Sequence, residues 1–98
     1  MPYQVFYSAR AQSHLIQLER YIARRGSPGN ARIYVEAIVT RCERLAVAPW
    51  QGTSRDDLLP GLRTAGFRKR VTIAFRVMPE TIFIAGIFYG GRNLKIDL

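Results

Sequence analysis

The sequence has little cysteine and little histidine, with one of each in 98 residues, Cys42 and His14. A single cysteine excludes an internal disulfide, and a single histidine excludes a metal site built from several histidines. No run of 18 or more apolar residues occurs, which excludes a transmembrane helix. The opening stretch "MPYQVFYSAR" is too polar for a signal peptide, so we expect a cytoplasmic protein that does not associate with membranes.

Acidic residues are also scarce. The sequence has seven Asp and Glu residues and 15 Lys and Arg residues, which gives a formal net charge of +8. Such an excess favours an acidic partner, either nucleic acid or an acidic protein segment, over the simpler alternative of solubility alone. Several of the cations surround one strand-like stretch, "GFRKRVTIAFRV", which covers residues 66–77. A solvated helix face, the usual reason for a run of charge, does not explain cations at that position.

The hydrophobic pattern predicts one domain over residues 1–98, of the α+β class. Residues 3–7 alternate as a strand, and two amphipathic helices follow, capped by Ser8 and Ser27. Three more strands are predicted over residues 62–67, 70–77 and 81–89. We therefore predict an antiparallel sheet, the N-terminal strand plus a C-terminal three-stranded meander, packed against an antiparallel two-helix hairpin. The predicted core contains Val5, Leu15, Leu18, Ile38, Leu45, Ile73, Phe75 and Ile84.

Few residues suit catalysis, and no glycine-rich phosphate loop precedes a helix. Adjacent loop acids such as Asp56 and Asp57 more often cap turns or form ion pairs than act together as acid and base. The remaining candidates form a basic cluster near Tyr89 and Phe88: Arg63, Arg68, Lys69, Arg70, Arg76, Arg92 and Lys95.

The basic cluster allows two functions. Arginines can stabilise a developing phosphorane and a tyrosine can transfer a proton, so a metal-free ribonuclease is one alternative. The only nearby candidate base is Tyr89, and an unperturbed tyrosine pKa of about 10 makes a poor base. Electrostatic docking to a protein or to nucleic acid needs no base, and the spacing of the cations favours it.

Four segments of the chain share one pattern of order and spacing: "ARAQSHLIQLERYIARRGSPGNA", "RCERLAVAPWQG", "SRDDLLPGLRT" and "VTIAFRVMPETIFIAGIFYGGRN". Together these segments resemble the RelE/ParE toxin superfamily of type II toxin–antitoxin systems. The last two are similar to the ParE branch, in which an R-x-D-L-x-P-G-L-R stretch leads into a strand that ends F-Y-R-V. Where that branch commonly has His-Gly-x-Arg, this chain has Tyr89, Gly90, Gly91 and Arg92. Of the RelE ribonuclease residues, Arg92 alone is matched, because Thr72 replaces an arginine of the central strand.

The resemblance implies a toxin that inhibits DNA gyrase by binding rather than by catalysis, without cofactor or metal. It implies neutralisation by a ParD-like antitoxin, encoded by an adjacent gene, in a hetero-oligomeric complex. A RelE-like ribosome-dependent mRNA endoribonuclease is the alternative, for which the catalytic candidates are Arg70, Arg76, Tyr89 and Arg92. The candidates for target binding are Arg63, Arg70, Arg76, Tyr89 and Arg92. The candidates for antitoxin binding are Leu15, Ile16, Leu18, Tyr21, Ile33 and Arg76.

Overall fold

The computed structural model describes residues 3–90, which form two helices and five strands. The chain begins with strand β1 (Gln4–Tyr7), followed by helices α1 (Ala9–Arg25) and α2 (Pro28–Leu45). Strands β2 (Thr53–Ser54), β3 (Leu62–Phe67), β4 (Val71–Val77) and β5 (Thr81–Tyr89) complete the fold. The predicted α+β class is confirmed, and the helices and the last three strands lie where the periodicity placed them.

Serine caps begin both helices. The Ser8 hydroxyl accepts a hydrogen bond from the Ala11 amide at 2.9 Å, and the Ser27 hydroxyl accepts one from the Asn30 amide at 3.1 Å. Each cap satisfies a backbone donor that the first helical turn would otherwise leave unpaired. Because only Gly26 and Ser27 separate the helices, the chain must reverse at once, and α1 packs against α2.

The sheet is mixed, with the strand order β1-β5-β4-β3-β2. Strands β2 to β5 pair antiparallel, as predicted for the meander, whereas β1 pairs parallel with β5. The predicted antiparallel sheet is confirmed in its main part, with one parallel pair, β1 with β5, as a difference in detail and the two-residue strand β2 as an addition. Alternation of side chains specifies which residues share a face but not which strand is the neighbour or in which direction it runs.

The core lies between the helical hairpin and one face of the sheet. Six of the eight predicted core residues are buried, and the other two, Val5 and Leu15, are partly buried and pack against the core. Successive residues of a strand point to opposite faces, so residues at alternate positions share a face. On β4, Ile73 and Phe75 therefore face the helices, while Arg76 faces the opposite side beside its cross-strand neighbours Leu62 and Phe83.

Helix α1 continues along the edge of β5 where β1 ends, because β1 pairs only with residues 81–84 of that strand. The Ser8 amide donates to the Ile84 carbonyl at 3.0 Å, and the Ser8 hydroxyl donates to the Ala85 carbonyl at 3.1 Å. Further along, the Ile87 amide donates to Nδ1 of His14 at 3.0 Å. These side chains close an edge that would otherwise expose unpaired backbone groups. Neither of the two described helices is long and apolar enough to cross a membrane.

Candidate functional site

A cleft of about 640 Å³ opens where α1, the end of β5 and the start of β4 meet. Its polar and charged lining residues are His14, Gln17, Arg20, Arg24 and Arg70. The rest of the lining consists of Leu18, Tyr21, Ile87, Phe88, Tyr89 and Gly90. Its volume is within the range of sites that bind small molecules or single groups of a larger partner.

The cleft carries positive charge without compensation. Arg20, Arg24 and Arg70 line it, and no Asp or Glu does. Within residues 3–90, the ion pairs join Arg32 to Glu36 and Arg55 to Asp57, and none involves the three arginines of the cleft. An anionic group that enters the cleft would therefore meet guanidinium groups that form no ion pair with any acid of residues 3–90.

Aromatic rings form a continuous row from the cleft to the turn between β3 and β4. The ring centroids of Tyr21 and Tyr89 are 5.8 Å apart, those of Tyr89 and Tyr34 are 6.3 Å apart, and those of Tyr34 and Phe67 are 5.6 Å apart. Guanidinium groups lie over both ends of the row, with Arg25 4.8 Å from the Tyr21 centroid and Arg68 4.9 Å from the Phe67 centroid. The aromatic row is thus bounded by a cation at each end.

Tyr34, in the middle of this row, has a hydroxyl that is enclosed by the fold. Burial raises the pKa of Tyr34, although Arg68 and Arg70 oppose the shift. The Tyr34 hydroxyl is buried without a hydrogen-bond partner in the described structure. Nδ1 of His14 accepts the Ile87 amide, so this nitrogen is occupied by the fold. The arrangement suits recognition of an anion better than transfer of a proton.

The structure separates the candidates for target binding. Arg70 and Tyr89 lie together in the cleft, whereas Arg76 is on the sheet face away from the helices. Arg63 donates to the carbonyl oxygens of residues 50, 51 and 52 at 2.9, 3.2 and 3.3 Å, and so holds the loop before β2. Arg92 lies outside the described residues.

The candidates for antitoxin binding fall into three groups. Leu15 is partly buried and Leu18 is buried in the core. Ile16, Tyr21 and Ile33 are exposed on the helical hairpin. Arg76 lies on the other side of the sheet and cannot share one flat surface with the hairpin residues.

The two adjacent acids of the loop before β3 have structural roles. Asp56 accepts the Gly61 amide at 2.8 Å and the Ser54 hydroxyl at 3.0 Å, and these hydrogen bonds lower the pKa of Asp56. Asp57 accepts hydrogen bonds from Nε and Nη2 of Arg55, each at 3.0 Å, and these bonds lower the pKa of Asp57. Both side chains are bound to their own loop, as expected for capping residues, and neither lines the cleft.

Two arginines of the site were missed by the reasoning from sequence. Arg20 and Arg24 are on α1, four positions apart, so they project from the same helix face toward the cleft. The signal was present as an i, i+4 pair of cations without an acidic partner at helical spacing. Which face of the helix would lie beside Arg70 depends on how α1 packs against β5.

The fold and the cleft define a small basic α+β protein whose exposed chemistry is suited to an anionic partner. The sequence matches the family model described as ParE toxin of type II toxin-antitoxin system, parDE, over residues 5–94. The chain belongs to this family of ParE toxins.

Solved structures agree with the fold. A chain of the chromosomal ParDE toxin–antitoxin system from P. aeruginosa superposes with a TM-score of 0.79 at 24% identity, covering 90% of this chain and 96% of that chain. A chain of the toxin–antitoxin complex RelBE2 from Mycobacterium tuberculosis superposes with a TM-score of 0.64 at 20% identity, covering 91% of this chain and 99% of that chain. Among curated proteins, no sequence matches this chain.

Proposed function

We propose that this ParE-type toxin inhibits DNA gyrase in the cytoplasm by binding, and that a ParD-like antitoxin encoded by an adjacent gene neutralises it. The observation that carries this proposal is the separation of the candidate side chains. Arg70 and Tyr89 share the cleft, but Arg63 and Arg76 lie elsewhere, and Nδ1 of the one histidine that lines the cleft, His14, accepts the Ile87 amide. General acid–base catalysis contributes a factor of roughly 10² to 10⁴, and a cleft without it is better suited to docking.

The experiment for the target is induction of the toxin alone in cells, followed by parallel assays of DNA supercoiling and transcript cleavage. We expect gyrase–DNA adducts and DNA breaks with intact transcripts. Arg70→Gln is expected to relieve the inhibition, because it removes a guanidinium of the cleft. Arg44→Gln is the matched control, since Arg44 is exposed in the last turn of α2, beside the start of β1 and away from the cleft. Normal supercoiling together with cleaved transcripts would refute the proposal.

RelE-like mRNA cleavage is the second candidate, and one observation supports it: Arg70 and Tyr89, two of its four candidate catalytic residues, lie in the same cleft. Tyr89→Phe separates the two functions, because it removes the hydroxyl and keeps the ring. An inhibitor that acts by contact should retain most of its activity, whereas a nuclease that uses the hydroxyl should lose activity by roughly 10² or more.

Antitoxin binding is proposed at the helical hairpin. Ile16 and Ile33 are 53% and 64% exposed, and the partly exposed Tyr21 lines the cleft. An amphipathic antitoxin helix can cover such apolar residues, and an extended acidic segment can then reach the arginines. The toxin would in this way form a hetero-oligomeric complex with its antitoxin.

This proposal is tested by titrating the purified antitoxin into the toxin. Complex formation should raise the thermal midpoint, because a ligand that binds only the folded toxin stabilises it. Ile16→Ser and Ile33→Ser should weaken binding, whereas Val47→Ser, at an apolar position after α2 that is 79% exposed, should not. A thermal midpoint of the toxin that does not change when the antitoxin is added would count against the proposal.

A further inference from the structure

The turn that joins β3 to β4 has an unusual backbone. Its two central residues, Arg68 and Lys69, have φ angles of 50° and 61°, and the Arg70 amide donates to the Phe67 carbonyl at 3.2 Å. Two consecutive positive φ angles are the backbone feature of type I′ turns, in which Asn-Gly is the favoured sequence. Arginine and lysine adopt this conformation only at an energetic cost, so their presence here indicates a use for their charges.

The turn adds its charges to those of the cleft. The Gly90 amide donates to the Arg70 carbonyl at 2.7 Å, which fixes the turn to the end of β5. Arg68 and Lys69 are exposed at the tip, and Arg70 lines the cleft with Arg20 and Arg24. The row of aromatic rings runs between these two groups of cations. We call the turn and the cleft together the cationic–aromatic site.

We propose that the cationic–aromatic site binds single-stranded nucleic acid. The arginines and Lys69 would contact phosphates, and the rings that line the cleft, Tyr21, Phe88 and Tyr89, would offer faces on which an unpaired base can stack. Grooves that combine cations with aromatic side chains are the general means by which proteins bind single strands without sequence preference. Guanidinium groups suit phosphate because their planar donors match its oxygens.

An acidic peptide is the alternative occupant, and the structure favours it less. A peptide that extends a sheet needs a free strand edge with unpaired backbone groups. Here the β5 edge beside the cleft is engaged by α1, because Ser8 donates to the carbonyls of Ile84 and Ala85 and His14 accepts the Ile87 amide. Carboxylates would also make no use of the aromatic row.

The inference deepens the proposed function and rests on it for its biological context, since a gyrase inhibitor acts where DNA strands are opened. Its test uses the purified full-length toxin without gyrase, so the two proposals can fail separately. Fluorescence anisotropy would measure the binding of labelled oligothymidylate and oligouridylate of about 12 nucleotides, a length within the site sizes of single-strand binders. A DNA duplex of equal length and a polyglutamate peptide would serve as competitors.

Two variants distinguish a loss of binding caused by lost charge from a loss caused by disturbed folding. The double variant Arg68→Asn and Lys69→Gly removes two cations and installs the favoured turn sequence, so its thermal midpoint should not fall. The second variant, Arg70→Gln, removes one cation from the cleft. Each phosphate contact contributes about −0.7 to the slope of log affinity against log salt for single strands, so the double variant should reduce the slope by about 1.4. Arg44→Gln should change affinity less than about twofold, because Arg44 lies away from the site.

Binding of a single strand that is weakened by the site variants and not by Arg44→Gln would support the inference. Tighter binding of the DNA strand or of the RNA strand would identify the source of the ligand. Equal weakening by Arg44→Gln would show that only net charge matters and would overturn the inference. Binding of polyglutamate or of the duplex that is as tight as binding of the single strand, or tighter, would overturn it as well.

Discussion

Arg63 provides a prediction that separates a structural role from a role in target binding. Its guanidinium donates three hydrogen bonds to the carbonyls of Trp50, Gln51 and Gly52, and it lies 5.7 Å from the centroid of the Trp50 ring. The loop that it holds leads into β2, the edge strand paired with β3. The substitution Arg63→Met keeps most of the apolar stem and removes every donor and the charge.

The cost can be estimated from these contacts. The bond to Gln51 is partly buried, and a hydrogen bond from a charged group in such a position contributes about 1.5 kcal/mol. The other two bonds are exposed and contribute about 0.5 kcal/mol each, since water can replace them. The exposed cation–π contact adds about 0.5 kcal/mol. The sum is on the order of 3 kcal/mol, which lowers the melting midpoint of a domain of this size by roughly 12 to 24 °C.

Thermal unfolding followed by circular dichroism measures this effect, with Arg10→Met as the control. Arg10 is an exposed arginine in the first turn of α1, and its replacement should change stability by less than about 0.5 kcal/mol. We expect toxin activity of Arg63→Met to be lost near its lowered midpoint and retained well below it. Unchanged stability combined with lost activity at every temperature would refute this reasoning and assign Arg63 to the target surface.

Three further predictions concern the fold. Gly52→Ala should destabilise the protein by about 3 kcal/mol or more, because φ is +80° and a Cβ would lie 2.1 Å from the Thr64 carbonyl oxygen. Gly29→Ala is the control: open space surrounds Gly29, so the variant should be neutral or more stable by up to about 1 kcal/mol in the same melting assay. The pKa of Asp56 is lowered by its bonds to the Gly61 amide and to a serine hydroxyl, so its contribution to stability should be complete above its unfolded pKa of about 3.9 and disappear as pH falls through the lower folded value. Asp56→Asn should remove this part of the pH dependence, and a wild-type profile in the variant would contradict the assignment. Burial raises the pKa of Cys42 to about 12, so iodoacetamide at about pH 8 should label the thiol only after unfolding, and rapid labelling of the native protein would contradict its burial.

The sequence by itself determined the elements of this fold, because local signals encode them. Ser8 and Ser27 mark the helix starts, and the spacing of apolar residues such as Leu18 and Ile38 marks the faces that become buried. Alternation in β4 placed Ile73 and Phe75 in the core in the same way. These signals act over a few residues, so they can be read without knowledge of the partners.

Only the tertiary structure decided which residues meet. Arg20 and Arg24 join Arg70 because α1 packs beside β5. Arg63 and Arg76 separate because Arg63 pairs with Phe75, the residue before Arg76, and successive strand residues face opposite sides of the sheet. The parallel pairing of β1 with β5 joins segments more than 70 residues apart. Such contacts depend on the relative placement of whole elements, which is fixed by the shared core and not by any local pattern.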